Sequence, residues 1–160
     1  MLGMSLGTFT LLHVLISLVA IGSGLYTIGG MIVGRSWPTI TVIFLLTTAI
    51  TSLSGYVFPA NGLLPSHVVG AISLVCLTVA ILALYPKRLL GIWRSVYVVS
   101  AALSLYFNVV VLIIQGFLKW EPLRALAPTQ SEPPFIIFQG AGLLLLVIAT
   151  ILALRRFKPV

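Results

Sequence analysis

The chain has 160 residues, 60% of them hydrophobic and 7% charged, with nine Lys and Arg against two acidic residues for a net charge of +7; its mean hydropathy is +1.22. Soluble domains carry about a quarter charged residues, so this composition excludes a water-soluble globule and indicates a membrane protein. In a soluble protein the basic excess would suggest nucleic acid, but here Lys and Arg sit at the ends of apolar runs, where lipid headgroups are the fitting counter-charge, and no nucleic-acid partner is expected.

A helix needs about 20 apolar residues to cross a ~30 Å hydrocarbon core, and five runs are long enough. The first, Thr8 to Met31, has no Lys or Arg before Arg35 and is too long for the core of a signal peptide, so it is expected to remain as a span. Ser36-Trp37-Pro38 leads into the second, Thr39 to Phe58, which Pro59 closes. The third, Leu64 to Tyr85, is opened by Pro65 and closed by Pro86. Proline suits a first helical turn, where its missing N–H has no partner to lose, and ends a helix elsewhere. The fourth run is Ser95 to Gly116. The connection that follows, "KWEPLRALAPTQSEPP", is the long one, and its "LRALA" predicts a short surface helix. Pro133-Pro134 opens the fifth run, Phe135 to Leu154. The first three connections are short, which makes consecutive helices antiparallel neighbours. The expected fold class is all-α: one five-helix membrane bundle over residues 1–160.

Charge orients it. Arg35, Lys87, Arg88, Arg94, Arg155, Arg156 and Lys158 fall on one side; Lys119 and Arg124 fall on the other, balanced by Glu121 and Glu132. The positive-inside rule then predicts a cytoplasmic C-terminus and an outside N-terminus, with Trp37, Trp93 and Trp120 at the interfaces.

With that orientation the chain's two histidines, His13 and His67, share the outer leaflet, their depths differing by roughly one helical turn or less. Asn108, Gln115 and Gln139 lie in the same half, as do the hydroxyls of Thr51, Ser52 and Ser54. Polar groups facing lipid cost several kcal/mol each, so they are expected to face the bundle interior. Small-residue faces support this: His13, Ser17, Ala20 and Gly24 on the first span, His67, Gly70 and Ala71 on the third, and a stripe of Tyr97, Ala101, Ser104, Asn108 and Gln115 on the fourth. The expectation is a polar cavity or hydrogen-bonded cluster of His13, His67, Asn108 and Gln139, covered by the loop from Lys119 to Pro133.

Three readings of that cluster stand open. Neutral imidazoles and amides can hold helices in register. His13 and His67 can instead be axial ligands of one b-type haem, with Ser17 and Ser66 orienting the rings and Lys119 and Arg124 pairing with propionates. Or the cavity takes a small molecule such as a quinone, with Ser66, His67, Asn108, Gln115 and Gln139 lining it. Other chemistry is disfavoured. No Asp, Glu, Lys or Arg lies within a run, as proton- or ion-coupled transport would require. The single cysteine, Cys76, excludes an intrachain disulfide and is too deep to join the histidines as a zinc ligand. An enzyme is therefore not the favoured expectation, and no catalytic residue is assigned.

The strings "LPSHVVGAISLV", "LAPTQSEPPFIIFQ", "GYVFP" and "YFNVVVLIIQGFLK" resemble a group of small, uncharacterised bacterial integral-membrane proteins. The resemblance implies a multi-pass protein of the bacterial inner membrane and carries no activity with it. The lipid bilayer is the expected partner; a second copy or another membrane protein stays open.

Overall fold

Glycine and proline punctuation marks the helix ends in a computed structural model, which describes residues 3, 5–59, 62 and 65–158. Among the described residues the elements are α1 (Leu6–Ile32), α2 (Pro38–Gly55), α3 (Pro65–Leu84), α4 (Trp93–Lys119), α5 (Glu121–Leu126) and α6 (Pro133–Arg156). All but the short α5 are long and apolar enough to cross a membrane. The expected spans are thus met by helices that extend them by a few residues or stop up to three short; Leu64, the expected start of the third, lies outside the described residues. The surface helix expected at "LRALA" is α5, shifted to begin at Glu121.

Local chemistry explains the tight α1–α2 turn. Gly34 takes a left-handed backbone, φ +73°, while its N–H donates to Met31 O (3.1 Å) and the Arg35 N–H donates to Gly30 O (2.8 Å). This is a Schellman cap, in which glycine accepts a conformation that a Cβ disfavours. Trp37 then lies over Gly30, its indole filling the space a side chain there would need, and Pro38 opens α2.

The alternating helices put the start of α1, the end of α2, the start of α3 and the α4–α6 connection at one end of the bundle, the histidine end. The α1–α2 turn, the α3–α4 loop and the end of α6 gather at the other, the basic end. Helix α4 is central, packing on α1, α3, α5 and α6; α2 packs on α1 and α3 and touches α4. The core runs through Phe44, Tyr97, Val98, Ala101 and Leu105, all buried. At Gly24 the absence of a side chain lets α1 approach this core, because a Cβ there would stand 2.8 Å from both Phe44 and Leu105. The bundle's outside is apolar: Leu15, Leu46, Val75, Leu144 and Leu145 are among many large side chains left exposed. Helix α6 carries this furthest, with only Leu146 and Ala153 buried.

One cation ties α6 to the bundle. Arg94, the second residue of α4, donates through Nη1 to the carbonyls of Leu154 (3.1 Å) and Phe157 (2.6 Å). It satisfies carbonyls that a helix end leaves unpaired and sets a positive charge against the negative end of the α6 dipole. Phe157, which follows, is buried and lies 6.2 Å from Tyr97, ring centre to ring centre. Hydrogen bonds to a charged donor contribute about 1.5–3 kcal/mol. Arg94→Ala is therefore expected to lower stability in detergent by about that much and to speed amide exchange over residues 154–158, whereas Arg94→Lys keeps part of the effect.

Candidate functional site

The polar side chains of the long helices meet along α2. Thr41, Thr48 and Ser52 recur at helical spacing on one stripe, and Thr51 and Ser54 are turned away from it toward α1. The first set is buried. Asn108 of α4 donates Nδ2–H to Thr48 Oγ1 at 3.2 Å, and Ser52 reaches Ser73 of α3 at 3.4 Å. The second set meets α1: His13 Nδ1 lies 2.8 Å from Ser54 Oγ, and Ser17 lies 3.4 Å from Thr51.

The His13 pair has a defined polarity. Ser54 has one hydroxyl proton, which also points at the Thr51 carbonyl 3.1 Å away. Both bonds are made together only when His13 carries its proton on Nδ1 and donates it to Ser54, leaving Nε2 as the lone-pair nitrogen. The ring stands edge-on to Phe58 at 5.1 Å, and Phe58 in turn packs on Phe9 at 4.9 Å. Ser17, considered above as the residue orienting this ring, instead donates to the His13 backbone carbonyl at 2.7 Å.

His67 belongs to a different contact. Its ring stacks on Tyr56 at 5.2 Å with an interplanar angle of 17°, and the Tyr56 hydroxyl donates to the His67 carbonyl at 2.6 Å. Tyr56 also lies against Gly70, whose missing side chain leaves room for the phenol. His13 and His67 thus contact different residues at the C-terminal end of α2, Ser54 for His13 and Tyr56 for His67.

The remaining polar residues are spread out. Thr48, which holds Asn108, is six residues before Ser54, about 9 Å along the α2 axis. Gln139 Nε2 makes a long 3.5 Å contact to Val110 O on α4. Gln115 Oε1 is buried and has no hydrogen-bond partner among the described residues, and Ser66 is exposed. The expected single cluster resolves into pairs strung along three interfaces: α1–α2 for His13, α2–α3 for His67 and α2–α4 for Asn108. In the loop expected as a lid, helix α5 packs on α4, with Leu123 against Gly116, and Gln130 donates to Ile114 O at 2.9 Å; these contacts hold the loop to the C-terminal end of α4. Arg124 pairs with Glu121 at 2.6 Å within α5, an exposed ion pair of little energetic weight. Among the described residues no three His, Cys, Asp or Glu side chains converge.

A clasp not anticipated from the sequence closes this loop. Glu132 accepts from the Thr129 N–H (3.1 Å), the Thr129 hydroxyl (2.9 Å) and the Ser131 N–H (3.0 Å). Partial shielding from water pushes the carboxyl up, but the bonds from Thr129 and from the Glu132 and Ser131 amides together outweigh it and hold the group below the ordinary carboxyl range. A signal existed in the "TQSE" spacing, where a carboxylate three residues after Thr can reach back to its N–H.

Two cavities sit at the basic end. One, of about 10 Å³, is walled by Thr27, Arg35, Trp37, Thr41, Tyr97 and Phe157; the Thr27 hydroxyl is buried there with no hydrogen-bond partner among the described residues. The other is an open recess of about 420 Å³ between the α1–α2 turn and the C-terminal segment.

No protein-family model, curated protein or solved structure matches the chain.

Two outcomes follow from this geometry. A double-mutant cycle of His13→Ala and Ser54→Ala, read by unfolding in mixed micelles, should give a coupling of about 0.5–1.5 kcal/mol, the range for interhelical hydrogen bonds in membranes; a cycle pairing His13→Ala with Thr48→Val should give none. Because the Glu132 carboxyl is depressed in the folded state, its stabilisation is present above the unfolded carboxyl's range and is lost as pH falls through the folded value. The protection of the Thr129 and Ser131 amides, measured relative to their intrinsic exchange rates, should fall over that acid window, and Glu132→Gln should remove this change in protection.

Proposed function

We propose that this chain is a multi-pass protein of the bacterial inner membrane, with its N-terminus outside and its C-terminus in the cytoplasm, serving a structural or accessory role rather than catalysis. Five helices long and apolar enough to cross a membrane support the first part, together with an apolar exterior and seven of nine Lys and Arg at one end.

The observation that carries the role is the pairing along α2. His13 with Ser54, Asn108 with Thr48 and Ser52 with Ser73 are bonds between helices. Side chains committed to one another set register and rotation; a binding pocket instead leaves its polar groups converging on a common space. The bis-histidine haem has one feature in its favour, since an imidazole held through Nδ1 keeps Nε2 available for a metal. Against it, each ring has a contact of its own at the end of α2, Ser54 for His13 and Tyr56 for His67.

Absorption spectra decide between them. Protein purified from cells supplied with haem precursor is expected to lack a Soret band when oxidised and to lack sharp α and β bands when reduced. Bands that appear and vanish in His13→Ala and His67→Ala would overturn the structural reading. For the orientation, a fluorescent reporter fused to the C-terminus should be bright, and a reporter enzyme active only outside the cytoplasm should be silent there.

A further inference from the structure

The basic end holds a preformed recess that the polar seam does not account for. It is about 420 Å³ in volume and lined by Ile32, Val33, Gly34, Arg155, Arg156 and Lys158, a size within the range of roughly 300–1,000 Å³ usual for small-ligand sites. We propose that this recess binds the phosphate-bearing headgroup of an anionic phospholipid, with Arg155, Arg156 and Lys158 as its counter-charges and the exposed face of α6 carrying the acyl chains. The proposal rests on the membrane reading and adds a specific site to it.

Three features make this more than a basic surface. The walls are held in place. Arg94 anchors the segment through Leu154 O and Phe157 O, buried Phe157 pins it to the core, and the turn at Gly34 sits so close that a Cβ there would meet Arg156 O at 3.3 Å. The electrostatics are one-sided. A helix C-terminus ordinarily repels an anion, but here the Arg94 guanidinium occupies those carbonyls, and the two acidic side chains, Glu121 and Glu132, lie at the opposite end. The apolar continuation is present. Leu144, Leu145, Val147, Ile148 and Ile151 are exposed along α6 above the cations, so a lipid bound by its headgroup finds hydrocarbon contact beside it.

The test uses the full chain in nanodiscs of phosphatidylcholine containing a minor fraction of phosphatidylglycerol, with bound phosphatidylglycerol counted by native mass spectrometry. Recovery of the protein from the soluble fraction of cells, before any lipid is measured, would refute the membrane reading itself. Given membrane insertion, Arg155→Gln/Arg156→Gln should lower retention of phosphatidylglycerol roughly tenfold to thirtyfold. Lys87→Gln/Arg88→Gln removes the same charge from the same end, away from the recess, and should stay within about threefold of wild type. Equal losses in the two variants, or no loss in the first, overturn the site. Displacement of the lipid by inorganic phosphate at millimolar concentration would show a phosphate site that does not need the acyl chains, and would overturn the assignment to lipid.

Discussion

Inside a bundle whose exterior is hydrocarbon-like, a polar side chain has no water to fall back on, and its partner has to come from a neighbouring helix or from its own backbone. The rest of this structure follows from that constraint. Helix α2 carries five hydroxyl residues, Thr41, Thr48, Thr51, Ser52 and Ser54, in contact positions, and α1, α3 and α4 each present to it a side chain able to complete a hydrogen bond. Where no partner helix supplies one, the hydroxyls of Thr10, Ser23, Thr47, Thr78 and Thr150 turn back to carbonyls of their own helices. The polar groups thereby specify which helix faces which, a task that apolar packing does poorly because one lipid-like surface resembles another.

Close approach is the second half of the same arrangement. Hydrogen bonds of this kind need backbones near one another, and Gly24 and Ala20 on α1 with Ala101 and Ser104 on α4 supply buried, small contact surfaces. Phe44 and Leu105 fill the space left at Gly24. Packing and hydrogen bonding therefore hold each other in place: a larger residue at position 24 would push α1 off α2 and stretch the His13–Ser54 bond.

The two ends of the bundle are built differently. At the histidine end, aromatic rings and a carboxylate clasp close the structure: Phe58, backed by Phe9, against His13, Tyr56 against His67, and Glu132 around Thr129. At the basic end, a glycine turn and an arginine cap bring the α1–α2 turn and the C-terminal segment together, with Arg35, Arg155, Arg156 and Lys158 left toward the outside. Charge segregation of this degree in so small a chain means that any charged partner, lipid or protein, meets two unlike faces.

Much was legible in the residues alone. The number, order and approximate ends of the long helices followed from apolar run length and from Pro38, Pro65 and Pro133, because crossing hydrocarbon imposes a minimum length and proline marks a first turn. The burial of Tyr97, Ala101, Ser104 and Asn108 followed from their common stripe, and the uneven charge between the two ends could be counted directly. The pairing of polar groups could not. His13 and His67 lie at similar depths, and linear spacing made them look like neighbours, yet depth says nothing about rotation around the helix axis. A stripe of small and polar residues indicates which face of a span packs but not against which neighbour, so the partners of His13, Asn108 and Arg94 were decided only when the helices settled against one another. Tertiary structure put Ser54 rather than Ser17 on the His13 imidazole, stacked His67 on Tyr56, and brought Arg94 to the far end of a helix sixty residues away in sequence.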